Sequence, residues 1–237
     1  IYLLSLIMAY AIFAMAFDLL CGYTGLISLG HSLFFGIGAY TFVLSILNLK
    51  LDLWAAIALG CLASSLMALV VGYLSIRVRG VYFLILTFIF SLIAFILALH
   101  FVWLTGGENG LSFERPLLTI FGLEFSLYER ITRFHLILGF FLATFFLLRR
   151  IVSSPLGLAL RSVRENEELA STLGYNVRNL KLFATGLSGL FSGLAGILYS
   201  LLNAFITADA FSLTVSLNVL VWTLIGGAGT LIGPVIG

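Results

Sequence analysis

Seven long apolar stretches, at residues 1–20, 26–49, 53–76, 81–104, 131–148, 182–206 and 213–237, take up most of this 237-residue chain. A helix needs about 20 mostly apolar residues to cross the hydrocarbon core of a bilayer, and all but the fifth stretch qualify. The fifth is uninterrupted only over residues 136–148, and reaches crossing length by including Arg133 and His135, with Arg133 extended to the interface. Barrel strands would show roughly 10-residue segments of alternating polarity, whereas these runs are continuous. Charged residues make up 9% of the chain and apolar ones 62%, against about 25% and 45–50% in a soluble domain. Only 12 basic and 10 acidic side chains are present, too few to coat a water-facing surface of this size. The expected fold is an all-α, polytopic transmembrane bundle of about seven spans, a single membrane domain over residues 1–237.

A net charge of +2 without a basic run gives no reason to expect a nucleic-acid partner. Cys21 and Cys61 lie too far apart for a disulfide framework or a metal-ligand spacing. Ile1 and Gly237 both fall inside apolar sequence, so a trimmed chain or a fragment is expected. The first stretch lacks a basic leader and a small-residue cleavage site, and reads as a span rather than a signal peptide. No tandem repeat, low-complexity tail or second soluble domain stands out.

Strict alternation of sides places Arg77, Arg79, Arg149, Arg150, Arg161, Arg164, Arg178 and Lys181 on one face and Lys50, Arg115, Arg130 and Arg133 on the other. The positive-inside rule makes the first face cytoplasmic. Residues 105–130 then form an extracytoplasmic loop and residues 149–181 a cytoplasmic one. In the cytoplasmic loop, Ser154-Pro155 starts a helix of about 19 residues and Gly174 ends it. Leu156, Leu160, Val163, Ala170 and Leu173 share one face, while Arg161, Arg164, Glu165 and Glu168 gather on another with i,i+4 pairing. Such a helix either lies on the lipid surface or docks in a groove of a cytoplasmic protein.

Gly186, Gly189, Gly193 and Gly196 fall on one helical stripe, which suits close approach of another helix. Gly25, Gly30, Gly36 and Gly38 bracket Ser28, His31 and Ser32. These glycines either break the second span, freeing backbone groups for a solute near the midplane, or simply admit a neighbouring helix. His31 is correspondingly either part of a solute path or a neutral, hydrogen-bonded packing residue, because a charge at that depth costs roughly 2.5–3.5 kcal/mol; the case for His100 is weaker. Asp18 reads as an interfacial carboxylate bonded to neighbouring backbone and Asp209 as solvated, so no proton relay is expected.

The only lysines, Lys50 and Lys181, lack the glycines of a P-loop, so energy must come from a partner or a gradient. Gly227-x-Gly229 has no βαβ unit to make it a dinucleotide site. No nucleophile, base and orienting acid occur together, and His31, His100 and His135 have no metal-ligand spacing, which disfavours an enzyme. Scarce charge in the spans favours a neutral or zwitterionic solute.

Glu168-Leu-Ala-Ser-Thr-Leu-Gly174 resembles the Glu-Ala-Ala-x-x-x-Gly loop of bacterial ABC-importer permeases, with Leu169 in place of the first alanine and no Ile-x-Leu-Pro following. Residues 22–40, 79–87 (Arg-Gly-Val-Tyr-Phe-Leu-Ile-Leu-Thr), 105–111, 153–166 and 225–237 are similar, in order and over nearly the whole chain, to the LivM-type permeases of branched-chain amino acid ABC importers. That resemblance implies a multi-pass inner-membrane subunit carrying leucine, isoleucine and valine inward. It further implies a homologous permease as heterodimer partner, two cytoplasmic ATPase subunits that bind ATP and Mg, and a periplasmic solute-binding protein, with no cofactor in this chain. Arg161, Glu165, Glu168 and Gly174 are expected at the ATPase-coupling helix, and Gly25, Ser28, Gly30 and His31 along the substrate path. Permeases for urea and short amides are similar to the same family. A gradient-driven carrier or channel is the alternative class, one with no particular need for the 153–174 helix.

Overall fold

A computed structural model describes residues 1–78, 80–120 and 123–237, so Arg79 lies outside the described residues. In chain order the helices are α1 (Tyr2–Thr24), α2 (His31–Leu47), α3 (Leu53–Ser75), α4 (Val81–His100), α5 (Val102–Thr105), α6 (Arg130–Val152), α7 (Pro155–Glu165), α8 (Glu167–Thr172), α9 (Val177–Asn203), α10 (Leu213–Gly226) and α11 (Gly233–Ile236). Among the described residues, α1, α3, α4, α6 and α9 are long and apolar enough to cross a membrane, and α2 and α10 are shorter apolar helices. The all-α bundle follows the apolar pattern. Its strands are short: β1 (Leu111–Ser112) pairs with β4 (Phe205–Ile206), and β2 (Leu118–Ile120) pairs with β3 (Leu123–Phe125), both antiparallel.

Side-chain size decides which helices are central. The alanines of α1 at positions 9, 11, 14 and 16 and the glycine stripe of α9 let backbones approach, and these two helices are the most buried of the crossing helices. A Cβ on Gly186 or Gly189 would meet Leu69 or Ala68 of α3, one on Gly193 would overlap Ser64, and one on Gly196 would strike the Phe35 backbone of α2. α4 and α6 carry large apolar side chains outward, as a lipid-facing helix does.

Basic side chains segregate by end. Arg77 and Arg178 both sit against the Tyr73 ring, at 5.2 and 4.6 Å from its centroid. Arg161 lies 5.0 Å from the Tyr23 ring at the last turn of α1. Arg115 and Arg133 reach the opposite end, where they donate to the last-turn carbonyls of α9.

Three elements differ from the sequence reading. The expected 19-residue helix is two, because Asn166 adopts an extended backbone (φ −158°, ψ 106°) and its side chain caps α8 by accepting from the N–H groups of Glu168 and Leu169. A short amide side chain competes with the helical backbone in this way. The i,i+4 pairs of Arg161 with Glu165 and of Arg164 with Glu168 do not form; both arginines turn toward the C-terminal end of α1, where unpaired carbonyls favour cations. The seventh stretch is helical only to Gly226, since Gly227 takes a φ of 99° and the chain turns before α11.

Candidate functional site

The second span is interrupted at its start and nowhere else. α1 ends at Gly25 (φ 73°), whose N–H donates to the Cys21 carbonyl in a left-handed cap, and residues 25–30 run as non-helical backbone until α2 begins at His31. Gly36 and Gly38 lie within continuous helix, against Phe211 and Gly193 respectively, so their role is packing. The late start matters because it places the N-terminus of α2 deep in the bundle. Ser91 is mid-way along α4, roughly 15 Å by helical rise from either end, and its hydroxyl hydrogen-bonds to that of Ser32.

A second interruption meets the first. Between α9 and α10 the chain passes through β4 and a single 3-10 turn at Ala208–Phe211 before α10 starts. The Phe211 carbonyl lies 3.1 Å from the Ser32 hydroxyl and 2.9 Å from that of Ser91, and it accepts from whichever of the two is not donating to the other. Ser216, in the first turns of α10, accepts the Ser32 backbone N–H at 2.9 Å and donates to the Ser32 hydroxyl at 2.9 Å. Two short helices thus present their N-terminal, partially positive ends to one fully buried serine cluster. Beside it lies a 280 Å³ groove lined by Leu33, Ile37, Ala94 and Phe211, with Tyr40 and Thr105 also on its wall, open at the bundle surface where Met67, Leu97 and Phe101 are exposed. The arrangement offers an apolar slot next to two helix dipoles.

The four residues expected along the substrate path, Gly25, Ser28, Gly30 and His31, occupy this same irregular stretch. They do not face one common cavity. Gly25 packs against Arg164, the Ser28 hydroxyl accepts from the Gly30 N–H at 3.1 Å, and Gly30 abuts Thr87, whose hydroxyl accepts from Leu29 at 3.2 Å. His31 is fully buried, with Phe17 and Phe34 packed edge-on to its ring. Its Nε2 lies 2.9 Å from the Ser188 hydroxyl, which itself donates to the Ala16 carbonyl at 2.6 Å. Ser188 has one proton to give, so Nε2 is the donor and the imidazole bridges α2, α9 and α1.

The expected coupling residues lie together at the basic end, on an elbow of α7 and α8. Arg161, Glu165, Glu168 and Gly174 (φ 89°) are all exposed there. Leu160, Val163 and Ala170 are buried toward the bundle, whereas Leu158, Leu169 and Leu173 are 63%, 58% and 68% exposed. Buried Lys181 of α9 pairs with Glu167 of α8 and fixes the elbow's far arm. Its near arm is fixed by Arg164, which donates to the Gly22 carbonyl of α1.

Asp18, four residues before Gly22 on α1, completes that junction. Fully buried, it accepts the backbone N–H groups of Gly229 at 2.6 Å and Leu231 at 3.0 Å. The carboxylate is bonded to backbone as expected, but to backbone far along the chain rather than to its neighbours. Gly22 touches both Asp18 and Gly229, and a Cβ there would overlap them. Sequence reasoning missed Arg164 as the tie to α1 and missed the cluster of Ser32, Ser91 and Ser216. Its one available signal was serine recurring in otherwise apolar runs. Among the described residues, no group of three or more His, Cys, Asp or Glu could hold a metal ion.

The family described as branched-chain amino acid transport system, permease component, matches residues 1–237. The chain is 32% identical over 247 aligned positions to the high-affinity branched-chain amino acid transport system permease protein LivM of Escherichia coli K12, covering 95% of this chain and 58% of that protein. The protein of the same description from Salmonella typhimurium gives the same identity and coverage. The probable branched-chain amino acid transport permease protein LivM of Methanocaldococcus jannaschii is 30% identical over 103 residues, or 43% of this chain. The chain spans 58% of the length of the first two relatives. No solved structure matches it.

Proposed function

This chain belongs to the branched-chain amino acid transport permease family, and on that premise we propose that it is the translocation subunit of an ATP-binding-cassette importer. It carries leucine, isoleucine and valine across the bacterial inner membrane. A homologous permease pairs with it, a periplasmic binding protein delivers the solute, and two ATPase chains bind ATP and Mg on the cytoplasmic side.

The observation that carries this reading is the α7–α8 elbow. The stripe of Leu160, Val163 and Ala170 expected to dock is buried against the bundle. What the elbow presents instead is three exposed leucines, Leu158, Leu169 and Leu173, among charges of both signs, a surface suited to a groove of a second protein. The elbow is tied at both arms, through Arg164 to α1 and through Lys181 to α9, the two central helices. Displacing it moves the core rather than a surface loop. On this reading the ATPase chains drive the bundle by such mechanical coupling.

The groove beside the serine cluster is suited to the same cargo. Helix N-termini favour a carboxylate, and the neighbouring apolar groove favours an aliphatic side chain over a polar one. Gly25, Ser28, Gly30 and His31 belong to the irregular segment that leads from the elbow, where Gly25 meets Arg164, to the serine cluster, and they act by setting the start of α2 rather than by lining one wall of the path. A urea or short-amide permease would need neither the dipole pair nor the aliphatic slot.

The test is uptake of labelled leucine into ATP-loaded vesicles holding the assembled complex. Uptake should require hydrolysable ATP and be competed by isoleucine and valine but not by urea. Glu168→Arg should abolish both ATPase association and uptake without lowering the Tm of the isolated permease. Retention of both refutes the coupling assignment.

A further inference from the structure

Arg115, Arg130 and Arg133 line a 390 Å³ cavity at the end of the bundle opposite the elbow, with Tyr2 and Asn203 on its other walls. Each guanidinium carries five N–H donors. Among the described residues protein acceptors take three bonds: Arg115 donates to the carbonyls of Leu201 and Leu202 at 3.0 and 2.9 Å, and Arg133 to Leu202 at 3.2 Å. These acceptors are neutral, so the charge is held in place but not compensated. Lys181 with Glu167 is the ion pair found among the described residues, and none of the three arginines has one. The Arg133 Nε–H is buried without a partner among the described residues, and Arg115 and Arg130 act on Arg133 as like charges. The first turn of α6, carrying Arg130 and Arg133, adds its own partial positive charge.

Three like charges gathered around a void call for an anion with several acceptor oxygens, and we infer that the cavity binds the phosphodiester of an anionic phospholipid. The walls are the first turns of α1 and α6 and the last turn of α9, so the cavity lies where crossing helices leave the hydrocarbon. Arginine matches a phosphate with paired donors, and basic pockets between membrane helices take lipid headgroups. Apolar surface for an acyl chain adjoins it: Ile131, next to Arg130 on α6, is 62% exposed. Tyr2 and Tyr128, both more than half exposed, sit at the same level, and Arg115 lies 5.8 Å from the Tyr128 ring. A free phosphate would use the arginines and leave that apolar surface unused. The inference stands whatever solute the bundle carries.

The test is titration of the purified full-length protein with dioctanoyl phosphatidylglycerol, dioctanoyl phosphatidylcholine and inorganic phosphate, read by native mass spectrometry. Arg130 is exposed and makes no hydrogen bond to a described group, so Arg130→Gln should leave Tm unchanged. One saturable phosphatidylglycerol site is expected, weakened about fivefold by R130Q and unaffected by R150Q at the opposite end. Equal binding of the two lipids, displacement of phosphatidylglycerol by an equal concentration of inorganic phosphate, or unchanged affinity in R130Q would overturn it.

Discussion

Asp18→Asn isolates the junction between the elbow and the bundle with the least change of shape. Asp18 uses both carboxylate oxygens, one for the Gly229 N–H and one for the Leu231 N–H. The two donors converge because Gly229 (φ 86°) and Leu231 (φ 59°) are both left-handed. A leucine in that conformation costs roughly 1–2 kcal/mol, which the carboxylate clip offsets. Asparagine keeps one oxygen and sets an N–H₂ against the other backbone N–H. Losing a charge-assisted hydrogen bond costs about 1.5–3 kcal/mol, and the abandoned buried N–H adds to it, for a net of about 3 kcal/mol. In a chain of this length 1 kcal/mol corresponds to roughly 2–4 °C, so Tm should fall by about 6–12 °C. The assay is intrinsic-fluorescence melting of the detergent-solubilised protein, with the exposed Asp209→Asn as control. If D18N melts within 1 °C of the parent, or D209N falls as far, the clip is not what holds residues 229–231 to α1.

Gly193→Ala should destabilise by about 1–3 kcal/mol, since the new Cβ overlaps Ser64 in a fully packed seam. Gly139→Ala, on the exposed face of α6 with open space around it, should instead be neutral or raise stability by about 0.5–1 kcal/mol. Paired melting curves distinguish the two, and equal losses would remove the packing explanation. A cysteine at position 109 should react with a membrane-impermeant maleimide added outside intact cells, and one at position 165 only after permeabilisation. The reverse pattern would invert the orientation.

The bundle was legible because its evidence is one-dimensional. Apolar length marks a crossing helix wherever the residues sit in space, and even the marginal fifth stretch became the 23-residue α6. The glycine stripe was legible for the same reason, as helical periodicity fixes a face before any partner is known. What escaped was long-range or decided by a single side chain. Asn166 ends α7 by capping α8, a local competition that the periodicity of Leu160, Val163 and Ala170 runs straight across. Arg164 had a suitable glutamate one turn away and chose a carbonyl of α1, because tertiary packing brought the acceptor closer than its helical neighbour. The serine cluster joins α2, α4 and α10, three elements far apart in sequence, so no window of residues contains it. Asp18 was read as an interfacial carboxylate bonded to neighbouring backbone, whereas it is fully buried and its backbone partners, 211 and 213 residues away, could come only from the fold.

The most direct measurement is photocrosslinking from position 169, at the exposed tip of the elbow, in the complex assembled in native membranes. A covalent adduct to an ATP-hydrolysing chain, lost in Glu168→Arg, is the expected result. Adducts to lipid alone, in a complex that still imports leucine, would contradict the claim that this bundle is driven through its elbow.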